Sequence, residues 1–559
     1  MSDPTDQLAA AVALHQQGRL DEAEAIYRAI LDAAPETADA EHLLGLIMHQ
    51  RGDHAAALAG IDRAIALNDG VVLYHANRAR VLTALGEHER SLSAARRALA
   101  LEPANPESMS DLAGALLRLG RAPEALEAAS KAVALSPGLQ AARINLALAH
   151  FDVALAAQEA GDLERSEEHY KASLVIDPER VEALVNLGNV YRLHYRVGDA
   201  ALCYAAALAK GCDLPEVHGN LGVVRQEMGE TAEAIACYDR ALAVDPENAE
   251  IRRNRAQALL KQGNFAEGWR EFEWRWRTAH FAPFRRDWAK PRWTGGALAG
   301  ETVLVHAEQG FGDSLQFARY LPMVAERGAR AVVECPAPLV ELLRGLDGVD
   351  AVVAYGDAIP AHDLQIPMMS LPGAFGTDFD SMPDDVPYLE PADDRVMKWS
   401  ARLGPPSPGS RRVGLVWKGS ANHQRNDWRS PGLEAFRPLA GLDGFEWFSV
   451  QKDDEAEDLA AADWDIAPLG RACADFADTA AAIQCLDLVI TPDTAVAHLA
   501  GALARPVCVV LPYASEWRWF EGRSDSPWYP TMRLFHQPAY GDWAGAVARL
   551  REALEAGWP

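Results

Sequence analysis

The chain of 559 residues is short of cationic side chains: Lys+Arg number 53 against Asp+Glu 80, a formal net charge of −27. Such a field repels phosphate backbones and anionic lipid, which speaks against nucleic-acid and membrane-surface roles. Cysteine is scarce as well. The seven are Cys203, Cys212, Cys237, Cys335, Cys473, Cys485 and Cys508, an odd number with no CxxC among them. Neither a disulfide framework nor a zinc site is indicated. No apolar run approaches the ~18 residues a membrane span requires. The opening MSDPTDQLAA is polar and acidic, unlike a signal peptide, and a reducing, cytoplasmic location is expected. Glycine (42) and proline (33) are too few and scattered for a fibrous or low-complexity chain. What remains is ordinary globular composition, 49 % apolar and 24 % charged. At ~150 residues per domain the length allows three to four domains.

The first half repeats itself. Prolines that end helices fall at Pro35, Pro103, Pro137, Pro178, Pro215 and Pro246, with gaps of 68, 34, 41, 37 and 31, and Asp69 fills the slot between the first two. A glycine is expected to close the first helix of each pair: Gly18, Gly52, Gly86, Gly120, Gly161, Gly198, Gly229 and Gly263. Its freedom at positive φ suits an interhelical turn. Small residues follow where paired helices cross closely (Ala23, Ala57, Ala125, Ala234), then aromatic knobs (Tyr27, Tyr170, Tyr238, Phe272). A period of 34 and these marks resemble the tetratricopeptide repeat (TPR) family over about residues 4–280, with roughly eight units. The unit of 41 residues carries extra helix around Phe151–Gln158.

The sixth slot of successive repeats reads Asn77, Asp111, Asn145, Asn186, Asn220 and Asn254. It lies on the first helix of each pair, which lines the concave face of a TPR solenoid. An amide offers donors and an acceptor, so it pairs with peptide backbone regardless of sequence. Protein O-GlcNAc transferases carry a similar ladder, which holds extended peptide. The alternative is that asparagine is simply the consensus residue there. Either way the array implies a protein partner. It ends in an aromatic helix, where Trp269, Phe272 and Trp276 share one face that is expected to pack on the next domain.

After a connector rich in tryptophan (Trp288, Trp293), β-branched runs alternate with helical segments: TVLVHA from Thr302, AVVEC from Ala331 and VDAVVAY from Val349. A break at Gly404–Ser410 reads as a linker. Then come VGLVWKG from Val413, FEWFSVQ from Phe445, DLVIT from Asp487, PVCVVLP from Pro506 and a last helix over about Asp542–Glu555. The pattern is that of two doubly wound parallel-sheet lobes, with a ligand cleft between their strand ends.

Three motifs fall at those ends. The turn HAEQGFGDSLQFARY places Gln309, Gly310 and Gly312 where backbone can approach a ligand, with Asp313 at the helix start; Asp is also an ordinary cap residue. In VGLVWKGSANHQRNDWRS, Lys418 with Gly419 ends a strand, suited to a phosphate or else snorkelling to water, and Arg425 and Arg429 read as a solvated loop. In DLVITPDTAVAHLAGALARPVCVV, Asp493 and Thr494 turn a strand into a helix whose free amides suit an anion, and His498 shares that helix face or is a satisfied core residue. Trp517, Trp519, Trp528 and Tyr529 stack on a ligand or pack the core. The strings Asp378-Phe379-Asp380 and Asp463-Trp464-Asp465 read as surface acid rather than a metal-holding DxD.

Together these motifs resemble glycosyltransferase family nine, the heptosyltransferase-type GT-B enzymes, over about residues 300–555. The resemblance implies a catalytic base at Asp313, donor-phosphate binding at Lys418, Gly419, Asp493, Thr494 and His498, and an acceptor loop at Gln309, Gly310 and Gly312. One departure is Ala495, where the family has glycine; its Cβ could crowd a diphosphate. The expected organisation is a TPR array (4–280), a connector (281–300), an acceptor-side lobe (301–403), a linker (404–410) and a nucleotide-sugar lobe (411–559). TPRs followed by this module resemble bacterial flagellin glycosyltransferases, some of which use nonulosonic acids such as pseudaminic acid. The resemblance thus implies a metal-independent, inverting protein O-glycosyltransferase. It would need no cofactor beyond its nucleotide-sugar co-substrate, and would act on Ser/Thr of an acceptor protein, flagellin, held by the repeats. Two other readings are a lipopolysaccharide sugar transferase and a TPR scaffold with an inactive module. If Asp313 is only a cap, His306 and Glu308 on the same turn are the next candidates for the base.

Overall fold

The computed structural model describes residues 4–420, 426–452 and 455–557. The chain forms two compact units, Met1–Asp213 and Leu214–Pro559.

The first unit is a series of helical hairpins, from Pro4–Gln16 with Leu20–Ala33 to Val181–Leu193 with Val197–Ala209. Gly18, Gly52, Gly86, Gly120 and Gly161 close the first helices at φ between 70° and 87°. Gly198 does not belong to this set. It sits inside Val197–Ala209, and the closing residue is Tyr195 at φ 57°. The expectation fixed on glycine as a residue type, whereas the slot is defined by its conformation. With Tyr195 in place the period is regular, for Tyr195 lies 34 residues after Gly161. The longer repeat is explained by its first helix, Gln140–Glu159, which has 20 residues against 13 in its counterpart Val181–Leu193. The seven extra residues are two helical turns. The aromatic knobs Tyr27 and Tyr170 are fully buried, and so is Tyr204, which falls 34 residues after Tyr170. Tyr204 lies over Gly188, where a Cβ would come within 2.8 Å of its ring.

The second unit opens with two more hairpins, ending in Ala249–Lys261 and Phe265–Phe272. Gly222 under Tyr238 repeats the glycine-and-knob pairing, for a Cβ there would come within 2.5 Å of the ring. The α-helix stops at Phe272 and continues as a 3-10 helix, Glu273–Arg277. That change of pitch removes Trp276 from the face of Trp269 and Phe272. Trp276 is half-buried against Phe281, and Arg275 takes the interior position. Trp269 donates to the Thr377 carbonyl (2.9 Å) and stands edge-on to Trp517, so the aromatic face packs on the α/β region as expected.

Two parallel sheets follow. The first contains β1 (Thr302–His306), β2 (Arg330–Cys335), β3 (Val349–Ala354) and β4 (Leu364–Pro367) in the order β3-β2-β1-β4. The second contains β5 (Arg411–Leu415), β6 (Phe445–Ser449), β7 (Ile466–Pro468), β8 (Leu488–Pro492), β9 (Val507–Leu511), β10 (Asp525–Ser526) and β11 (Tyr529–His536). Its order is β10-β11-β9-β8-β5-β6-β7, parallel except for the β10–β11 pair. β1, β8 and β9 are buried along their whole length, as strands covered on both faces must be.

The crossing between the lobes does not fall at 404–410. The helix Asp393–Leu403 already packs on Phe476–Gln484, the helix that leads into β8, and Arg395 reaches Asp475 and Asp478 there (2.8 and 2.9 Å). Upstream, the backbone N–H groups of Tyr388 and Leu389 donate to the Ala502 carbonyl. The chain has therefore reached the second lobe before Asp393, and Gly404–Ser410 only turns that helix into β5. Its glycines and prolines mark a turn, which composition alone cannot tell from a linker.

Candidate active site

β1 delivers the chain to His306, and a short loop returns it into the helix Phe311–Phe317. The strained residue of that loop is Gln309, at φ 63°, not a glycine. Gly312 serves helix packing. The helix lies against Ala495–Ala502, and a Cβ on Gly312 would meet His498 Cδ2 at 3.0 Å. Gly310 stands exposed at the helix start. The missing side chain at 312 thus lets the helix after β1 touch the helix after β8.

Asp313 is held twice. Its Oδ2 accepts from the Gly310 backbone N–H (3.0 Å), so it does serve the helix start. Its Oδ1 accepts from the Arg518 guanidinium, which comes from the other lobe, in the 3-10 turn Trp517–Trp519. Arg518 also donates to Glu516 and to Gln316 Oε1 (2.8 Å), and lies over the Trp517 ring. Burial raises the Asp313 pKa above the ordinary carboxylate value, with Arg518 opposing.

At the end of β8, Asp493 has its pKa pushed up to about 6 by burial and by the nearby Glu516 charge, against Arg429 and Arg518. Thr494 caps Ala495–Ala502, and its hydroxyl meets that of Thr491 (2.8 Å). Three carboxylates (Asp313, Asp493, Glu516) thus face two arginines (Arg429, Arg518), drawn from both lobes. Arg518 was not singled out in the sequence. Its signal was the Trp-Arg-Trp string, where the flanking tryptophans drew the attention. Arg429, read as solvated, is half-buried and acts on both aspartates. Arg425 lies outside the described residues.

His498 departs from its expected role. It is buried, shares a hydrogen bond with the Tyr529 hydroxyl (3.0 Å) and stacks on Trp519. Burial and nearby Arg518 push its pKa well below the usual histidine value, so it is a neutral core residue. Trp517, Trp519, Trp528 and Tyr529 are buried likewise and pack the core. Lys418 lies three residues past the end of β5 and forms an ion pair with Asp458 (2.9 Å). Gly419 donates to Ser430 Oγ (2.9 Å) and lets Arg429 approach, since a Cβ would come within 2.9 Å of Nη2. His306 and Glu308 are buried: His306 bonds Gln365 and stacks on Trp288, and Glu308 pairs with Arg275 (2.8 Å). Asp378 closes its own turn through Asp380 and Ser381, and Asp463 is 93 % exposed on Arg437, so neither acidic string forms part of this cluster.

In the first unit, the ladder is partly spent on the repeats themselves. Asn77 is buried and bonds His42 (2.9 Å), which removes it from an open groove. Asn145 Nδ2 donates to the Ser110 carbonyl (2.9 Å), and Asp111 pairs with Arg80 (3.0 Å). Asp111 and Asn145 nonetheless line a cavity of about 510 Å³ with Arg80, Arg118 and Asp152. Asn186 in the first unit, and Asn220 and Asn254 in the second, are half-buried on the first helices of their pairs.

Helical repeats followed by two parallel α/β lobes that meet at a charged cluster define the architecture: TPR hairpins joined to an α/β module. Family comparison agrees. Tetratricopeptide repeat models match residues 8–71, 77–139 and 226–263, and the glycosyltransferase family 9 (heptosyltransferase) model matches 454–521. The last match holds Asp493, Thr494 and Arg518; Asp313 and Lys418 fall outside it. Protein FlbA of Caulobacter vibrioides is 28 % identical over 447 residues, 72 % of each chain. Among solved structures, a tetratricopeptide repeat protein of Parabacteroides merdae covers 46 % of this chain and 98 % of its own (16 % identity, TM-score 0.30). The C-terminal part of a TPR repeat-containing protein of Cytophaga hutchinsonii covers 44 % and 98 % (12 % identity, TM-score 0.36). The chain therefore carries TPRs and a glycosyltransferase family 9 segment. Among the described residues, no helix is long and apolar enough to cross a membrane.

Proposed function

We propose that this protein is an inverting, metal-independent GT-B glycosyltransferase that moves a sugar from a nucleotide donor to Ser/Thr of an acceptor protein held by the repeats. The observation that carries the reading is the ion pair between the lobes, Asp313 at the start of the helix after β1 with Arg518 from the turn after β9, beside Asp493 at the end of β8. Transfer needs a base for the acceptor hydroxyl and stabilisation of the departing phosphate. Asp313 takes the hydroxyl proton as that oxygen attacks the anomeric carbon. The bond from that carbon to the phosphate oxygen breaks, and its electron pair leaves with the phosphate. Asp493, Thr494 and the amides opening Ala495–Ala502 orient the donor phosphate, with Lys418 and Gly419 on the adjoining loop. Ala495 presents its Cβ at that helix start and restricts which phosphate group fits.

Flagellin is the acceptor and a nonulosonic acid such as pseudaminic acid the sugar in the most specific form of this proposal, which rests on the architecture. The acidic, cytoplasmic chain needs no membrane or nucleic-acid partner. The family's heptosyltransferase members favour a lipopolysaccharide acceptor instead. The cavity around Asn145 and Asp111 supports the protein acceptor, because a lipid-linked sugar needs no peptide groove. Intact masses of flagellin from cells with and without this protein test the choice. Loss of a fixed sugar mass supports the proposal, and an unchanged flagellin with a truncated lipopolysaccharide overturns it.

A further inference from the structure

Arg518 poses a question the mechanism does not answer. A base must be free to take a proton, yet the Asp313 carboxylate is tied to a guanidinium from the opposite lobe. That guanidinium is nearly sealed: its side chain is 5 % exposed, against 18 % for Asp313 and 47 % for Glu516. It is fixed from behind by Gln316 Oε1 on Nε and by the Trp517 ring beneath its plane. Its two terminal nitrogens point at the two carboxylates. A planar fork held at its base, with both tips on exchangeable anions, is the geometry that binds phosphate oxygens in pairs.

Resting on the glycosyltransferase reading, we propose that Arg518 is a phosphate-binding residue that exchanges partners: the donor's phosphate displaces Asp313 from the guanidinium, and the released carboxylate becomes the base. The phosphate and Asp313 then compete for one cation. Donor binding would precede base activation, so Asp313 is engaged by Arg518 whenever no donor is present to react. Gln316 keeps the guanidinium in place during the exchange. During transfer Arg518 stays on the phosphate that receives the electron pair, while Asp313 holds the acceptor's proton.

Competition has a signature that a structural ion pair lacks. Removing the Asp313 charge should tighten phosphate binding, whereas breaking a structural pair loosens the site. Titration calorimetry of the full chain with a panel of nucleoside mono- and diphosphates reads this directly. Asp313→Asn should bind the preferred nucleotide about tenfold more tightly than wild type, the worth of one charge-assisted hydrogen bond. Arg518→Gln should bind it at least about tenfold more weakly, and Arg518→Lys, which keeps the charge without the fork, should remain weaker than wild type. Should Arg518→Gln fail to fold, the Asp313→Asn arm still decides. Wild-type binding with equal or weaker affinity in Asp313→Asn overturns the exchange and leaves the enzyme reading standing. No binding of any nucleotide by wild type overturns both.

Discussion

Asp313 and Asp493 have the same residue type and similar burial, but the two carboxylates have different duties. Asp313 accepts a backbone N–H and an arginine, so Asp313→Asn keeps the helix-start bond and the side-chain volume. The variant should still fold while losing ~10²–10⁴ of the transfer rate, as removal of a positioned base does. A near wild-type rate would mark Asp313 as a cap. Asp493 makes a stability prediction. Burial raises its folded-state pKa to about 6, above the unfolded value, so its ionisation opposes folding. Its favourable contribution is present while the carboxyl is protonated and is lost as pH rises through about 6. Asp493→Asn should therefore melt higher than wild type at neutral pH, with the gain shrinking in acid; a gain that does not change with pH contradicts this. At this scale the sequence was informative about the residues that begin helices, because caps and turns are local. Arg518 was not legible. Its partners, Asp313 and Gln316, lie some two hundred positions away, and only the docking of the lobes brings them together. His498 went the same way: its position on the helix was right, but the tertiary packing of Trp519 and Tyr529 decided that it is core.

Among the elements, the repeats were the most legible part, since a period of 34 is written in small and aromatic residues. The error at Gly198 shows the limit. A left-handed turn residue is defined by φ, and Tyr195 at 57° fills the slot although its type argues against it. An L side chain there costs ~1–2 kcal/mol. Tyr195 is 43 % exposed, so little burial is lost on replacing it. Tyr195→Gly should raise stability by ~0.5–1 kcal/mol, the strain relief less the added chain entropy. Gly198→Ala, with nothing within 4 Å of the new Cβ, should add ~0.5–1 kcal/mol through helix propensity. Urea titrations of each variant check both, and destabilisation by Tyr195→Gly would show that the tyrosine ring, not the backbone, holds that turn. The strands β4, β7, β10 and β11 escaped notice because they are short or follow prolines and glycines. The lobe crossing escaped because the helix Asp393–Leu403 gives its allegiance only through contacts with Phe476–Gln484.

For the molecule as a whole, the proposed function requires that acceptor capture and sugar transfer be separable. Replacing Asn145, Asn186, Asn220 and Asn254 together by Ala should weaken acceptor pull-down while leaving nucleotide binding intact. Asn145 also ties its helix to the Ser110 carbonyl, so the variant should lose ~1 kcal/mol of stability with that bond and melt lower. Undiminished capture would leave these as consensus asparagines. The central claim is that this chain glycosylates a protein through Asp313, and the most direct measurement is the intact mass of flagellin from cells lacking this protein, complemented with either wild type or Asp313→Asn at equal abundance. The account predicts that wild type restores a discrete sugar mass to flagellin and that Asp313→Asn does not. Equal masses in the two complemented strains would contradict it.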